Sequence, residues 1–197
     1  MNGAESLSRT LVNQGVEVCF ANPGTSEMHF VAALDKVEGM RCVLGLFEGV
    51  VTAAADAYYR LADKPACTLL HLGPGLGNGL ANLHNAKKAG SGMVNVVGEH
   101  SSRHLQYDPP LTSDIEGLAR PLSHWVRRVD NAGSIAWDAT AAVQAIEQKT
   151  TIQSIDLNKL KARLLEDKQV LDFVPDHKEA RGGLQLPGIV VDDANAL

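Results

Sequence analysis

The first 147 residues alternate short, continuous apolar runs with longer stretches in which apolar residues recur every three to four positions. The apolar runs predict strands at Val16–Ala21, Arg41–Phe47, Cys67–Leu72, Met93–Gly98 and His124–Val129. The longer stretches predict helices at Ala4–Asn13, Ser26–Val37, Gly49–Ala62, Leu76–Ala89 and Ile135–Gln148. Because strands and helices alternate, and the strands show little polar alternation, we expect an α/β fold: a mostly parallel open sheet with helices on both faces.

The pattern changes after residue 147, where charged residues become more frequent. They make up 15 of the 50 residues from Gln148 onward, against 26 of the first 147. Leucines at helical spacing predict one amphipathic helix over Asp156–Phe173, and the polar, turn-rich sequence after Pro175 is typical of a loosely ordered chain. We therefore divide the chain into a domain over residues 1–147 and an atypical tail over residues 148–197.

Composition and charge favour a cytoplasmic protein. A net charge of −5 and a pI of about 5.8 disfavour nucleic acid or an anionic membrane as a partner, since neither phosphate surface would be neutralised. No apolar run approaches the roughly 20 residues that span a bilayer, and the first residues lack the pattern of a secretory signal. Cys19, Cys42 and Cys67 lie in apolar segments without a CxxC pair, which predicts buried thiols in a reducing compartment.

In parallel α/β sheets, ligands bind in loops beyond the carboxyl ends of the strands, and the first such loop here contains Pro23 and Gly24. Proline restricts φ and glycine admits unusual φ, which predicts a defined turn that delivers the hydroxyls of Thr25 and Ser26 to a helix start. Backbone amides at a helix start bind anions such as a carboxylate. The alternative is an ordinary loop with Ser26 as the helix cap.

The second loop places one carboxylate, Glu48, between the apolar run Leu44–Phe47 and a helix rich in alanine and valine. A helix start stabilises a carboxylate anion, whereas apolar surroundings penalise its charge. Glu48 is therefore either a functional carboxylate in a dry site or a first-turn residue that faces solvent and complements the helix dipole.

The third loop is rich in glycine without matching a nucleotide-binding fingerprint. The GxGxxG pattern fails because residue 78 is Asn and residue 80 is Leu, and no GxxxxGK[ST] motif occurs. Gly73 and Gly75 therefore predict the close approach of another backbone or of a flat ligand. His71, at the end of the third strand, is either a polar acid–base group or a satisfied structural histidine.

Together, the three loops and their flanks resemble the pyrimidine-binding domain of thiamine-diphosphate-dependent enzymes, in the branch of acetolactate synthase large subunits and benzoylformate decarboxylases. The matching segments are GVEVCFANPGTSEMHFVAALD, LGLFEGVVTAAADAYYRLADKPA, LLHLGPGLGNGLANLHNA and NVVGEHSSRHLQYDPPLTSDIEGLARPLSHWVR. They occur in order, at family-like spacing, through about residues 1–147. Four ordered segments are far more specific than one glycine-rich loop.

The resemblance implies a role for each loop. Glu48 stands where the family keeps the glutamate that hydrogen-bonds N1′ of the cofactor's aminopyrimidine and promotes the imino tautomer, which deprotonates the thiazolium. His71 stands where benzoylformate-decarboxylase-like enzymes keep a catalytic histidine. Thr25 and Ser26 match hydroxyls near the substrate carboxylate. The implied lining of the cofactor cleft consists of Pro23, Gly24, Gly73, Gly75 and Asn78.

The sequence lacks the second half of the family's cofactor site. The GDG…N motif that holds the cofactor's diphosphate through Mg²⁺ is absent, so the resemblance implies that Mg²⁺ binds on another domain or subunit. Since the family's site lies between two subunits, we expect a homodimer or pairing with a diphosphate-binding partner. The apolar strand expected after Glu147 has no counterpart that aligns, which would leave a sheet edge unpaired unless the tail covers it.

The leading hypothesis is the pyrimidine-binding portion of an acetolactate-synthase-like enzyme, which decarboxylates and joins 2-oxo acids and is inactive as an isolated chain. A benzoylformate-decarboxylase-like activity is the nearby alternative, favoured by His71 and Thr25. The alternative from another class is a noncatalytic interaction protein that keeps the fold and pairs with a full-length relative.

Overall fold

The computed structural model describes residues 1–147 and, by its backbone, one strand of the tail. The strands are β1 (Val18–Asn22), β2 (Arg41–Leu44), β3 (Ala66–Leu70), β4 (Met93–Val97), β5 (Val126–Val129) and β6 (Gly188–Asp192). They are all parallel and form one sheet in the order β2-β1-β3-β4-β6-β5. The helix predicted over Asp156–Phe173 lies outside the described residues.

Helices cover both faces of this sheet. They are α1 (Gly3–Asn13), α2 (Met28–Lys36), α3 (Glu48–Ala62), α4 (Leu72–Ala89), α5 (Ser102–Leu105), α6 (Ile115–Ala119) and α7 (135–147). One buried apolar cluster joins α1, α2 and α7 to the sheet, and a second joins α3, α4 and α6 to it. Strands β3 and β4 are buried along their whole length, as expected for a sheet covered on both faces. The predicted fold class is confirmed.

Helix α4 begins at Leu72, four residues before the predicted start at Leu76. Pro74 therefore lies in the first turn of the helix, where its missing N–H group costs nothing because first-turn amides have no partner within a helix. The glycine-rich sequence that predicts a loop is thus the opening of a helix, and His71 is its N-cap residue.

Strand β6 is a correction to the sequence analysis, which treated the tail after Pro175 as loosely ordered. Its backbone lies between β4 and β5, with Ile189 in register with both Asn95 and Val126. The far side of β4 is therefore paired, not an open edge. The run Gly-Ile-Val-Val-Asp is too short to show a periodicity against its charged surroundings, which explains why the pattern did not reveal it.

The three cysteines stand side by side on neighbouring strands, since Cys19 is in register with both Cys42 and Cys67. Cys19 and Cys67 are buried, but Cys42 is exposed on the edge strand β2, so the prediction of three buried thiols is wrong for Cys42. A hydrogen bond with Cys19, aided by partial burial, raises the pKa of the Cys42 thiol far above its ordinary value. The pattern failed because a strand at the sheet edge is apolar without being covered.

Cys42 is therefore expected to react slowly despite its exposure, because only the thiolate is nucleophilic. Its alkylation rate with iodoacetamide should still be rising well above pH ~8.5, the ordinary pKa of a free cysteine. Cys19→Ala removes the hydrogen bond, lowers the pKa of Cys42 and should accelerate the reaction at pH 8. Peptide mass spectrometry measures the rate, and a wild-type profile with its midpoint near the ordinary pKa would contradict the prediction.

Candidate functional site

The candidate site lies where the order of strands reverses. Strand β1 is flanked by β2 on one side and β3 on the other, so the chain passes from β1 to β2 on one side and then crosses back to β3 on the other. In open α/β sheets, this reversal opens a crevice beyond the carboxyl ends of the strands. The loops after β1, β2 and β3 are the three that the sequence analysis selected.

Glu48 is the first residue of α3 and follows an extended Phe47. Its side chain is only 5% exposed, which excludes the solvent-facing alternative. Oε2 accepts a hydrogen bond from Nδ2 of Asn78 at 2.9 Å, whereas no described residue bonds Oε1. The partial positive charge at the start of α3 stabilises the carboxylate in this position.

Because Gly75 has no side chain, a space remains beside that carboxylate, and we call this space the cradle. A Cβ atom at position 75 would lie 2.7 Å from Oε1 of Glu48 and 3.4 Å from Cβ of His71. Glycine therefore lets the first turn of α4 approach the carboxylate without displacing it. The predicted approach of a backbone or a flat ligand at this glycine stays a prediction. Gly75 also links the second loop to the third, because it contacts a side chain of each.

The backbone around Glu48 is held against α4 by two polar side chains. The hydroxyl of Thr52 lies 3.0 Å from the carbonyl oxygen of Glu48 and 3.2 Å from that of Gly79. Nδ2 of Asn82 donates to the carbonyl oxygen of Gly49 at 2.7 Å. These bonds between α3 and α4 fix the start of α3, and with it the position of the carboxylate.

His71 is fixed by the loop that follows β1. Its Nδ1 lies 2.8 Å from Oε2 of Glu27, and the backbone N–H of Gly24 donates to the same oxygen at 2.7 Å. A Cβ atom on Gly24 would overlap the imidazole ring, so the ring lies directly against this glycine. Glu27 is 2% exposed and was missed in the sequence analysis. Its position three residues after Gly24, the spacing of a capping box, was the available signal.

The remaining candidate residues lie around this series of contacts. Thr25 and Ser26 belong to the 3-10 turn Thr25–Glu27, and Ser26 makes no capping bond to α2, contrary to the alternative with a serine cap. Gly73 lies against the side chain of Ser113, away from Glu48. Pro23 precedes Gly24 in the loop after β1. Roles for these residues in binding cofactor or substrate stay predictions.

Two glycines of α4 give a matched pair of substitutions. Gly77→Ala meets no atom within 4 Å and should stabilise the protein by about 0.5–1 kcal/mol through the helix propensity of alanine. Gly75→Ala should gain less, since its methyl group displaces Oε1 of Glu48 and strains the bond to Asn78. Urea unfolding measures both changes in the free energy of unfolding. Equal gains would contradict the cradle at Gly75.

An exposed apolar patch adjoins Glu48 in the sequence. It consists of Leu44, Leu46, Phe47 and Val50, which are 67%, 88%, 48% and 57% exposed. Exposed apolar residues of this size are found at contacts with proteins, membranes or ligands when they form one patch. The buried carboxylate is thus neighboured in the sequence by exposed apolar side chains.

The described part of the chain contains neither a metal-binding cluster nor a helix that could cross a membrane. No group of three or more histidine, cysteine, aspartate or glutamate side chains in it is arranged to hold a metal ion. Likewise, no helix among these residues has the length and apolar character that crossing a bilayer requires. The cytoplasmic location stays a prediction.

Comparison with known proteins gives matches along the same part of the chain. Residues 1–125 match the model of the thiamine pyrophosphate enzyme N-terminal TPP binding domain. IlvX of Mycobacterium tuberculosis, whose name assigns it to the acetolactate synthase large subunits, is 59% identical over 157 residues, or 80% of this chain. Benzoylformate decarboxylase from Pseudomonas aeruginosa is 31% identical over 135 residues, or 68% of this chain.

The fold has close counterparts among solved structures. The thiamine diphosphate-dependent 4-hydroxybenzoylformate decarboxylase of Rhodococcus jostii superimposes on the whole chain with a TM-score of 0.76 at 20% identity, which shows the fold alone. This chain spans 31% of that protein. It spans 30% of IlvX and 25% of the P. aeruginosa decarboxylase. The similarity thus covers less than a third of each relative.

Proposed function

The chain belongs to the thiamine pyrophosphate enzymes through their N-terminal TPP binding domain, and on that premise we propose that it supplies the pyrimidine-binding half of a site that acts on 2-oxo acids. Glu48 is the carboxylate that activates the cofactor. The partner domain or subunit supplies the Mg²⁺-bound diphosphate site. The reaction class is the decarboxylation and carboligation performed by acetolactate-synthase-like enzymes.

The observation that carries this proposal is the geometry of Glu48. Asn78 holds Oε2, while Oε1 is bonded by no described residue and borders the space that a Cβ at position 75 would fill. An aminopyrimidine would complement this carboxylate, since its ring nitrogen can share a proton with a carboxylate. When bound, thiamine diphosphate supplies an acidic carbon that adds to 2-oxo acids and accepts the electrons left by loss of CO₂.

The residues of this chain then have separable tasks. Glu48 holds a proton at the ring nitrogen, and the start of α3 stabilises its charge whenever that proton is transferred. Asn78 orients the carboxylate by donating to Oε2. His71 exchanges a proton with the reacting substrate, and the 3-10 turn with Thr25 and Ser26 receives the substrate carboxylate.

The exposed apolar patch supports a partner that completes the site. Phe47 and Val50 flank Glu48 in the sequence and leave about half of their surface exposed. A second copy of the chain, or a separate diphosphate-binding subunit, would bury this surface and exclude water from the carboxylate. Such pairing would supply the parts of the site that this chain, which spans less than a third of its relatives, does not contain.

Calorimetry with thiamine diphosphate and Mg²⁺ tests the proposal. The isolated chain should bind the cofactor poorly, because it offers contacts to the pyrimidine only. A chimera, in which this chain replaces the matching 157-residue segment of IlvX, should bind it as tightly as the parent IlvX. Micromolar binding by the isolated chain would contradict the proposed division of the site.

A benzoylformate-decarboxylase-like activity is the second candidate, favoured by the position of His71 beside the cradle and by the similarity to the P. aeruginosa enzyme. An aromatic 2-oxo acid and a histidine acid–base group are what that activity requires. Product analysis of the chimera on pyruvate and on benzoylformate separates the two candidates. Acetolactate from pyruvate supports the first, and benzaldehyde from benzoylformate supports the second.

A further inference from the structure

We propose that Glu27 is a positioning residue that holds His71 with a proton on Nδ1, so that Nε2 is the atom that exchanges protons in the cleft. This inference rests on the proposed function for its catalytic meaning. The arrangement itself can be measured without any cofactor. It concerns a carboxylate that no motif of the sequence analysis selected.

The carboxylate of Glu27 is immobilised within the protein. Its side chain is 2% exposed, and the backbone N–H of Gly24 donates to Oε2. Oε1 is buried without a hydrogen-bond partner among the described residues and lies so close to Gly98 that a Cβ there would overlap it. A buried carboxylate with an unbonded oxygen is costly, so a structural role alone explains it poorly. An ionic or charge-assisted bond from His71 offsets part of that cost.

The bond between the two side chains determines which imidazole nitrogen carries the proton. Oε2 of Glu27 already accepts from Gly24, and a carboxylate has no proton to give, so Nδ1 of His71 is the donor across their 2.8 Å separation. The partner of one ring nitrogen sets the tautomer of the other. When His71 is neutral, Nε2 is then the basic atom.

The ring is held in place as well as in its tautomer. Gly24 lies against the imidazole, and a larger residue there would displace it. His71 is 26% exposed, and no described residue bonds its Nε2. On the other side, Gly75 lies next to both Cβ of His71 and Oε1 of Glu48. His71 therefore lies near the activating carboxylate. Its Nδ1 bonds Glu27, and its Nε2 is bonded by no described residue.

Nitrogen-15 NMR of the histidine-labelled chain tests the proposal directly. His71→Asn identifies the signals by their loss. In the wild-type chain with a neutral imidazole, we expect Nδ1 of His71 protonated and Nε2 unprotonated, the opposite of the tautomer that predominates in free histidine. The exposed His84 serves as the internal control and should show the free-histidine pattern. An Nε2–H tautomer of His71 in the wild type would overturn the proposal, even if no variant of Glu27 folds.

Glu27→Leu removes the acceptor and should shift His71 toward the Nε2–H tautomer. The matched control Glu38→Gln alters an exposed carboxylate and should leave the His71 signals unchanged. An unchanged tautomer in folded Glu27→Leu would overturn the proposal. In the chimera, Glu27→Leu should lower kcat and leave cofactor affinity unchanged. A chimera that fails to bind cofactor would contradict the proposed function but would not affect the tautomer measured in the isolated chain. The two failures are therefore distinguishable.

Discussion

Glu48→Gln is expected to slow the release of CO₂ from 2-oxo acids by the chimera by roughly 10²–10⁴-fold, the contribution typical of a positioned acid–base group. Glutamine keeps the size of the side chain and can still bond Asn78, but it cannot take up a proton. Cofactor affinity should fall much less than kcat, because the amide still fills the place beside Gly75. Steady-state kinetics, with calorimetry to confirm that the cofactor is bound, measure both quantities.

Glu38→Gln is the matched control for this substitution. Glu38 is exposed and lies outside the candidate site, and its replacement by glutamine removes the same charge. Its kcat should equal that of the unmodified chimera. A Glu48→Gln chimera with bound cofactor and an unchanged kcat would contradict the proposed role of Glu48.

Removal of β6 is the second change with a large expected effect. A chain that ends at residue 187 loses the strand between β4 and β5, and with it four register pairs on each side. Backbone hydrogen bonds contribute roughly 0.5–1.5 kcal/mol each, whereas a whole domain is stable by only about 5–15 kcal/mol. We therefore expect this chain to lose its cooperative unfolding transition.

A chain that ends at residue 192 keeps β6 and is the control, and its urea midpoint should match that of the full chain. Circular dichroism during urea titration measures both truncations. A chain ending at residue 187 that unfolds at the same midpoint as the control would show that β6 does not stabilise the sheet. The comparison isolates the strand because the two chains differ only by five residues, Gly188–Asp192.

Most of the sheet could be predicted because its strands are rich in apolar residues. Strands β3 and β4 are buried along their whole length, and each carries only one polar residue, Thr68 or Asn95, within its apolar run. Strand β6 could not be found in this way. Its apolar run is only Ile189–Val191, and its place between β4 and β5 depends on contacts that are distant in the chain.

The start of α4 shows a different limit. Its glycines and Pro74 have poor helix propensity, so local preference predicts a loop up to Leu76. Packing against α3 overrides this preference, because glycine allows a close approach to Glu48 that a larger residue would obstruct. The residues that weaken the helix are thus the ones that form the candidate site.

Candidate site residues could be selected from the sequence where a single residue type stands out from its surroundings. They could not be selected where a residue matters through its contact with another residue that is distant in the chain. Glu48 is a lone carboxylate after an apolar strand, and the resemblance to a family selected it together with His71. Glu27 is distant from His71 in the sequence, and its bond to Nδ1 arises only when the loops after β1 and β3 meet. Pairing between loops depends on the order of strands, which the pattern of hydrophobic residues does not specify.

The central claim is that Glu48 activates a cofactor whose other half is held by a partner. Exchange of the C2 proton of thiamine diphosphate with deuterium, followed by NMR in the chimera, tests it most directly, because it reports activation before any substrate reacts. The account predicts that exchange with Glu48 present is roughly 10²-fold or more faster than with Glu48→Gln at equal cofactor occupancy. Equal exchange rates in the two chimeras, with cofactor bound in both, would contradict it.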